Sequence, residues 1–193
     1  MGFLATEQAE PALLLRAQAG DMEAHAGLYA TYGRGVYSLA RRMLTSTSLA
    51  EDVLQETFVE VIRKIDTYRG EAELGHWIRR IAVNKCLMLL RSSWESKREG
   101  EPLGYEPGAA PERVDERLDL AQALGELSPT ARAVVWLHDV EGYTHKEIGG
   151  LMGRTASFSK SRLARAHERL KVLLEGAGAQ QETEQCDQPL KTC

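Results

Sequence analysis

The chain has 193 residues, 43% of them hydrophobic and 27% charged, enough to bury a core and too apolar for a wholly disordered polypeptide. No run reaches the roughly 18 to 20 uncharged apolar residues of a bilayer span, and the first ten residues lack the basic start and apolar stretch of a secretion signal, so no membrane insertion and a cytoplasmic location are expected. A net charge of −4 excludes a uniformly basic surface, and three scattered cysteines, Cys86, Cys186 and Cys193, suit neither a disulfide framework nor structural zinc.

Apolar residues recur at spacings of three and four without sustained alternation, which predicts an all-α fold of two small helical domains joined by a flexible linker. Pro11 can open a first short helix that Gly20 ends, and Asp21 can cap a second through Leu28, Tyr32, Val36, Leu39 and Met43. Ser48, with Glu51 completing a capping box, is the expected start of a third helix, whose apolar stripe is Leu49, Val53, Phe58, Val61, Ile62 and Ile65. A fourth begins near Glu73 and carries Leu74, Trp77, Ile78, Ile81, Met88, Leu89 and, at its far end, Trp94. Antiparallel packing of these stripes makes a bundle over residues 10–97.

Pro102, Pro107 and Pro111, with Gly104 and Gly108 among them, then bar helix and strand alike, and acidic residues outnumber basic ones eight to four between Glu95 and Asp119. Residues 98–117 are therefore a solvated linker. In the second unit, residues 118–176, Ser128 and Pro129 start a helix through Val134, Val135 and His138 that Gly142 ends. Thr144 and Glu147 form another capping box before Ile148, Leu151 and Met152. After a turn at Gly153, Thr155 caps a last helix through Leu163, Ala166, Leu170 and Leu174. A short capped helix, a glycine turn and a longer basic helix read as helix-turn-helix. Gly149 and Gly150 weaken the short helix unless close packing needs them. Residues 177–193 form a polar, disordered tail by composition.

Three surfaces could carry chemistry. From Arg154 to Lys171 six basic residues face Glu168 alone, and Lys160, Ser161, Ala164 and Arg165 share a helix face able to reach base edges and phosphates. Tyr68, Arg69, His76, Trp77, Arg79, Arg80, Asn84 and Lys85 mix cations, aromatics and an amide, the ingredients for holding a single strand. Asp52, Gln55, Glu56 and Glu60 make a polar stripe. Taken singly, each also fits a solvated face. Signs of catalysis are poor: no phosphate-binding, metalloprotease, serine-nucleophile or dinucleotide motif is present, the five histidines are dispersed, and no cofactor is implied.

The two halves together resemble one family. Ala50-Glu-Asp-Val-Leu-Gln-Glu-Thr-Phe58, Tyr68-Arg-Gly-Glu71 and Trp77-Ile-Arg-Arg-Ile-Ala-Val-Asn84 are similar to region 2 of the bacterial extracytoplasmic-function sigma factors, the promoter-specificity subunits of RNA polymerase. Leu127-Ser-Pro129, Gly142-Tyr-Thr144, Glu147-Ile148, Gly153 and Lys160-Ser-Arg-Leu163 resemble region 4. The resemblance implies that Asp52, Gln55 and Glu56 dock core RNA polymerase through its β′ subunit, with further contact to β. It implies that Tyr68, Arg69, Trp77, Arg80 and Asn84 bind the −10 element, and that Lys160, Ser161, Arg162 and Arg165 bind the −35 element of promoter DNA. An anti-sigma factor is an implied partner, and no enzymatic activity is expected.

The chain departs from the family pattern before Lys160. Phe158 and Ser159 stand where a threonine and a β-branched apolar residue are usual, and Arg154 replaces an apolar one. Phe158 is expected to pack inward by local rewinding, the alternative being contact with a thymine methyl. From another class, the same sequence could make a helix-turn-helix regulator whose N-terminal bundle senses a ligand or dimerises; a helical nucleic-acid enzyme would need a metal cluster for which Asp52 and Glu56 are faint candidates.

Overall fold

The computed structural model describes residues 11–98 and 116–185, with side chains over 11–91 and 120–175. The Pro/Gly-rich stretch 99–115, the side chain of Trp94, Cys186, Cys193 and the tail from 186 lie outside the described residues. Every regular element among the described residues is helical.

The first unit contains α1 (Pro11–Gln18), α2 (Met22–Leu44), α3 (Thr47–Lys64) and α4 (Leu74–Arg98). Asp21 caps α2 by accepting from the Glu23 and Ala24 N–H groups at 2.9 and 3.4 Å, and Arg16 Nε donates to the same carboxylate at 2.6 Å. That guanidinium holds the Asp21 carboxyl below the usual range. Leu28, Tyr32, Val36, Leu39 and Met43 of α2 are buried as their spacing predicts, against Val53, Phe58 and Val61 of α3 and Ile78, Ala82 and Cys86 of α4. Burying each such large side chain contributes roughly 1.5–3 kcal/mol, so this stripe dominates the unit's stability.

Three details differ from expectation. The cap of α3 is Ser46, whose hydroxyl accepts from the Leu49 N–H at 3.3 Å, in place of Ser48. Thr45 at φ 62° closes α2 so tightly that the next residue already caps α3. Leu49 and Ile62 are exposed, because the inward line of α3 runs through Ala50, Val53, Thr57, Phe58 and Val61 and leaves both about 100° off it. Met88 is likewise exposed on α4.

The second unit contains α5 (Glu116–Gly125), α6 (Pro129–Val135), a π-helical turn (Trp136–Val140), α7 (His145–Met152) and α8 (Ala156–Gln185). Helix α5 was not foreseen, since its start lies in the acidic linker and offers no cap signal. Ser128 and Pro129 do open α6, with Ser128 Oγ accepting from the Ala131 N–H at 3.4 Å. Helix α8 continues to Gln185, past the Gly176 where composition predicts loss of order. Alanine, glutamine and glutamate beyond Gly176 are all good helix formers, which offsets the glycines.

The units pack against each other, α6 on α2 and α7 on α4. Arg79 Nη1 of α4 donates to Glu141 Oε2 at 2.8 Å, with the two side chains only 8% and 3% exposed. Trp136 Nε1 donates to the other Glu141 oxygen at 3.2 Å, and Arg132 Nε donates across the interface to the Met43 carbonyl at 3.2 Å. Arg91 donates to the Leu151 carbonyl.

Candidate nucleic-acid interface

Helix α7 and the start of α8 are built around one close approach. Thr144 and Glu147 form the predicted capping box, with Thr144 N–H to Glu147 Oε2 at 2.8 Å and Glu147 N–H to Thr144 Oγ1 at 3.3 Å. The Thr144 hydroxyl, donating to Glu147 Oε2 at 2.7 Å, and then the Thr144 N–H hold the Glu147 carboxyl below its ordinary range. Gly153 at φ 64° ends α7, and a Cβ on Gly149 would lie 2.8 Å from the Arg154 carbonyl oxygen and from the Thr155 carbonyl carbon. Only a glycine lets the backbone entering α8 cross α7 there. A Cβ on Gly150 would meet open space.

The inward side of α8 is Ser159, Leu163, Ala166 and Leu170. Ser159 is fully buried and hydrogen-bonds through Oγ with His145 Nδ1 at 3.1 Å, so α8 is pinned to α7 by a polar contact where an apolar residue would only pack. The opposite side is exposed and includes Lys160, Ser161, Ala164 and Arg165, so the four residues grouped on spacing do point outward. Arg162 is half-buried at the flank and, with Arg165 and Arg169, borders a groove against Glu126, Ser128 and Ala131. Phe158 packs one side on the core and stays half-buried. Helix α8 starts without rewinding, Thr155 Oγ1 accepting from the Phe158 N–H at 3.2 Å, and Ser159 takes the buried site.

Composition alone gave no sign of a second network behind this face. Asp139 Oδ1 is 2.8 Å from His138 Nδ1 and Oδ2 is 2.7 Å from His167 Nε2, while the His138 and His145 rings stack with centroids 4.4 Å apart. Burial would raise the Asp139 carboxyl, but its two histidine hydrogen bonds hold it below the usual range. The π-helical turn brings His138 and Asp139 to α7 and α8; a sequence window of helical period does not reveal that shift.

On α4, Trp77 is half-buried and its ring lies 5.4 Å from that of Tyr68, tilted by 51°. Gln18 Nε2 donates to the Ile65 and Tyr68 carbonyls at 3.2 and 3.1 Å, and Tyr68 OH donates to the Ala72 carbonyl, so the loop before α4 is held at both ends. Arg69, Arg80 and Asn84 are exposed. Arg79, grouped with them by composition, is instead buried in the ion pair with Glu141, and its guanidinium lies 5.7 Å from the Tyr143 ring centroid. An open cleft of about 730 Å³ runs between α4 and α7, lined among others by His76, Trp77, Arg80, Tyr143, Glu147 and Leu151. The second unit thus stands over part of the α4 surface.

Asp52, Gln55 and Glu56 are exposed along α3, with Val59 following on the same surface. Glu56 also reaches Lys85 of α4 at 3.4 Å, and Glu60 bridges Lys85 at 3.0 Å and Lys64 at 2.7 Å. Hydrogen bonds from Lys64 and Lys85 hold the Glu60 carboxyl below its usual range, and Glu60 raises Lys85. Among the described residues no group of three or more His, Cys, Asp or Glu could hold a metal ion, and Asp52 and Glu56 have no third ligand.

The geometry is that of a two-part helical protein whose helix-turn-helix carries a basic outward face, and comparison with known proteins gives its family. The family model of sigma-70 region 2 matches residues 28–96 and that of sigma-70 region 4 matches residues 117–170. The chain is similar to the ECF RNA polymerase sigma factor SigE of Mycolicibacterium smegmatis, 36% identical over 72% of this chain and 57% of that protein. It is also similar to the RNA polymerase sigma factor CarQ of Myxococcus xanthus, 33% identical over 80% of this chain and 91% of that protein. In fold it resembles the sigma factor RpoE of Bartonella quintana, solved with the anti-sigma factor NepR, at TM-score 0.55 and 22% identity over 78% of this chain and 96% of that one. The chain belongs to the extracytoplasmic-function RNA polymerase sigma factors, promoter-recognising initiation factors. The region 2 match replaces the alternative of a sensing or dimerisation module at the N-terminus.

Proposed function

We propose that residues 10–97 bind core RNA polymerase and the −10 element, and that residues 118–176 bind the −35 element, with 98–117 as the tether. Asp52, Gln55 and Glu56 on exposed α3 offer charge and hydrogen bonds to a basic polymerase surface. The Tyr68–Trp77 aromatic pair, with Arg69, Arg80 and Asn84 exposed beside it, suits an unpaired strand whose bases stack and are read on their edges. Lys160, Ser161, Arg162 and Arg165 contact bases and phosphates in the major groove.

The observation that carries this reading is the outward face of α8, polar and basic along the side opposite Ser159, Leu163, Ala166 and Leu170 and fixed on α7 at Gly149. The protein is non-enzymatic and cytoplasmic; no helix among the described residues is long and apolar enough to cross a membrane. An anti-sigma factor is its regulatory partner, as NepR is found with RpoE of Bartonella quintana. Because Trp77 and Arg80 line the cleft under α7, strand capture follows separation of the two units. Core polymerase added to the purified chain with a promoter library tests the reading. Specific run-off transcripts that need both elements are expected; DNA binding without core, and repression in place of initiation, would overturn it.

A further inference from the structure

Phe158 is the residue of α8 whose surface side neither the core nor the family pattern explains. It sits in the first turn of the helix, one position before fully buried Ser159 and therefore about 100° around from the inward line. It is half-buried, packing one side on the core and leaving the rest of its ring at the surface. Its backbone N–H is already used by the Thr155 cap, and its carbonyl accepts from Ser161 Oγ at 3.2 Å, so the ring is carried on a fixed turn.

Two guanidiniums flank that ring. Arg154, from the turn, lies 5.9 Å from the ring centroid and Arg162, one helical turn on, lies 5.3 Å from it. Among the described residues neither arginine has a carboxylate partner. Two unneutralised cations held on an apolar platform, at the leading end of a helix-turn-helix second helix, are arranged for phosphates on either side of a groove. The N-terminal residues of such a helix are the ones that meet base edges. The apolar group on a base edge in the major groove is the C5-methyl of thymine.

We infer that Phe158 is a specificity-determining residue, its ring meeting the methyl of one thymine in the −35 element while Arg154 and Arg162 hold the flanking phosphates. The inference rests on the −35 reading proposed above and adds to it an apolar contact with one base edge. It also explains why a large apolar side chain stands at the edge of a basic face.

The test uses holoenzyme assembled from the full chain. A −35 element is first selected from a randomised library, and each thymine in it is then replaced singly by deoxyuridine, which removes only the methyl. The wild type should lose about fourfold in promoter affinity at one thymine, the size expected for one buried methyl group. Phe158→Ala should lose affinity for the thymine promoter and show no further loss with deoxyuridine there, whereas Phe158→Leu should keep a methyl preference. A selected element without thymine, or deoxyuridine losses unchanged in Phe158→Ala, overturns the inference and leaves the −35 reading intact. Selection with no −35 preference at all overturns both.

Discussion

Gly149 and Gly150 are adjacent in sequence, yet the structure gives them opposite roles. A methyl on Gly149 would collide with backbone at 2.8 Å, so Gly149→Ala should separate α7 from α8 and destabilise the second unit by about 1–3 kcal/mol. Gly150→Ala enters open space within a helix and should stabilise by about 0.5–1 kcal/mol; urea unfolding of both variants checks the pair. Cys86 is fully buried, and desolvation pushes its thiol up to about 12, so it should resist thiol reagents until the chain unfolds. At this scale the sequence was legible where a residue type has one use, as in the Thr144–Glu147 box, and illegible where partners are distant. Arg79 looks like a strand-binding arginine until Glu141, 62 residues on, is placed beside it. Phe158 packs on the core along one side only and without the expected rewinding, because the buried place is taken by Ser159 with His145 as its partner.

Between elements, the α3–α4 pair is fastened by Glu60 between Lys64 and Lys85. The Glu60 pKa is lowered and the Lys85 pKa raised, so both shifts favour the charged pair in the folded state. The contribution is therefore present between the two titrations, lost as pH falls through the folded Glu60 pKa and lost again as pH rises through that of Lys85. Glu60→Gln should flatten the acid side of the stability–pH curve measured by thermal unfolding. On the exposed face of the same α3, Asp52→Lys should weaken core polymerase binding with the fold unchanged, which a binding titration and circular dichroism together decide. Helix starts were readable because caps are local chemistry: Asp21, Ser128 and Thr144 all act as their types suggest. Ser46 was missed in favour of Ser48 because two serines two residues apart satisfy the same rule, and the left-handed Thr45 that decides between them leaves no sequence mark.

The whole molecule holds its two units together through a buried ion pair, and burial makes that pair vulnerable. Removing the carboxylate leaves buried Arg79 without its charge partner, a change that typically costs about 3–5 kcal/mol, and Trp136 loses its acceptor as well. Glu141→Ala should therefore part the units, seen as a larger radius of gyration by small-angle scattering with helical content nearly unchanged. The two-domain plan could be read from the Pro/Gly stretch, but the packing of one domain on the other could not. It depends on Arg79, Glu141, Arg132 and Met43 meeting across more than sixty residues, and none of them carries a local signal.

If one chain reads two separated promoter elements with α4 and α8, a single selection should separate the two readings. Holoenzymes carrying the wild type, Asn84→Ala and Arg165→Ala are each used to enrich transcribed promoters from a library randomised in both elements. Asn84→Ala should relax preference at one −10 position only, and Arg165→Ala at one or two −35 base pairs only, with a cost of about 1–3 kcal/mol on the preferred −35 sequence. Losses in both elements for either variant, or uniform losses without any change of preference, would contradict this two-element reading.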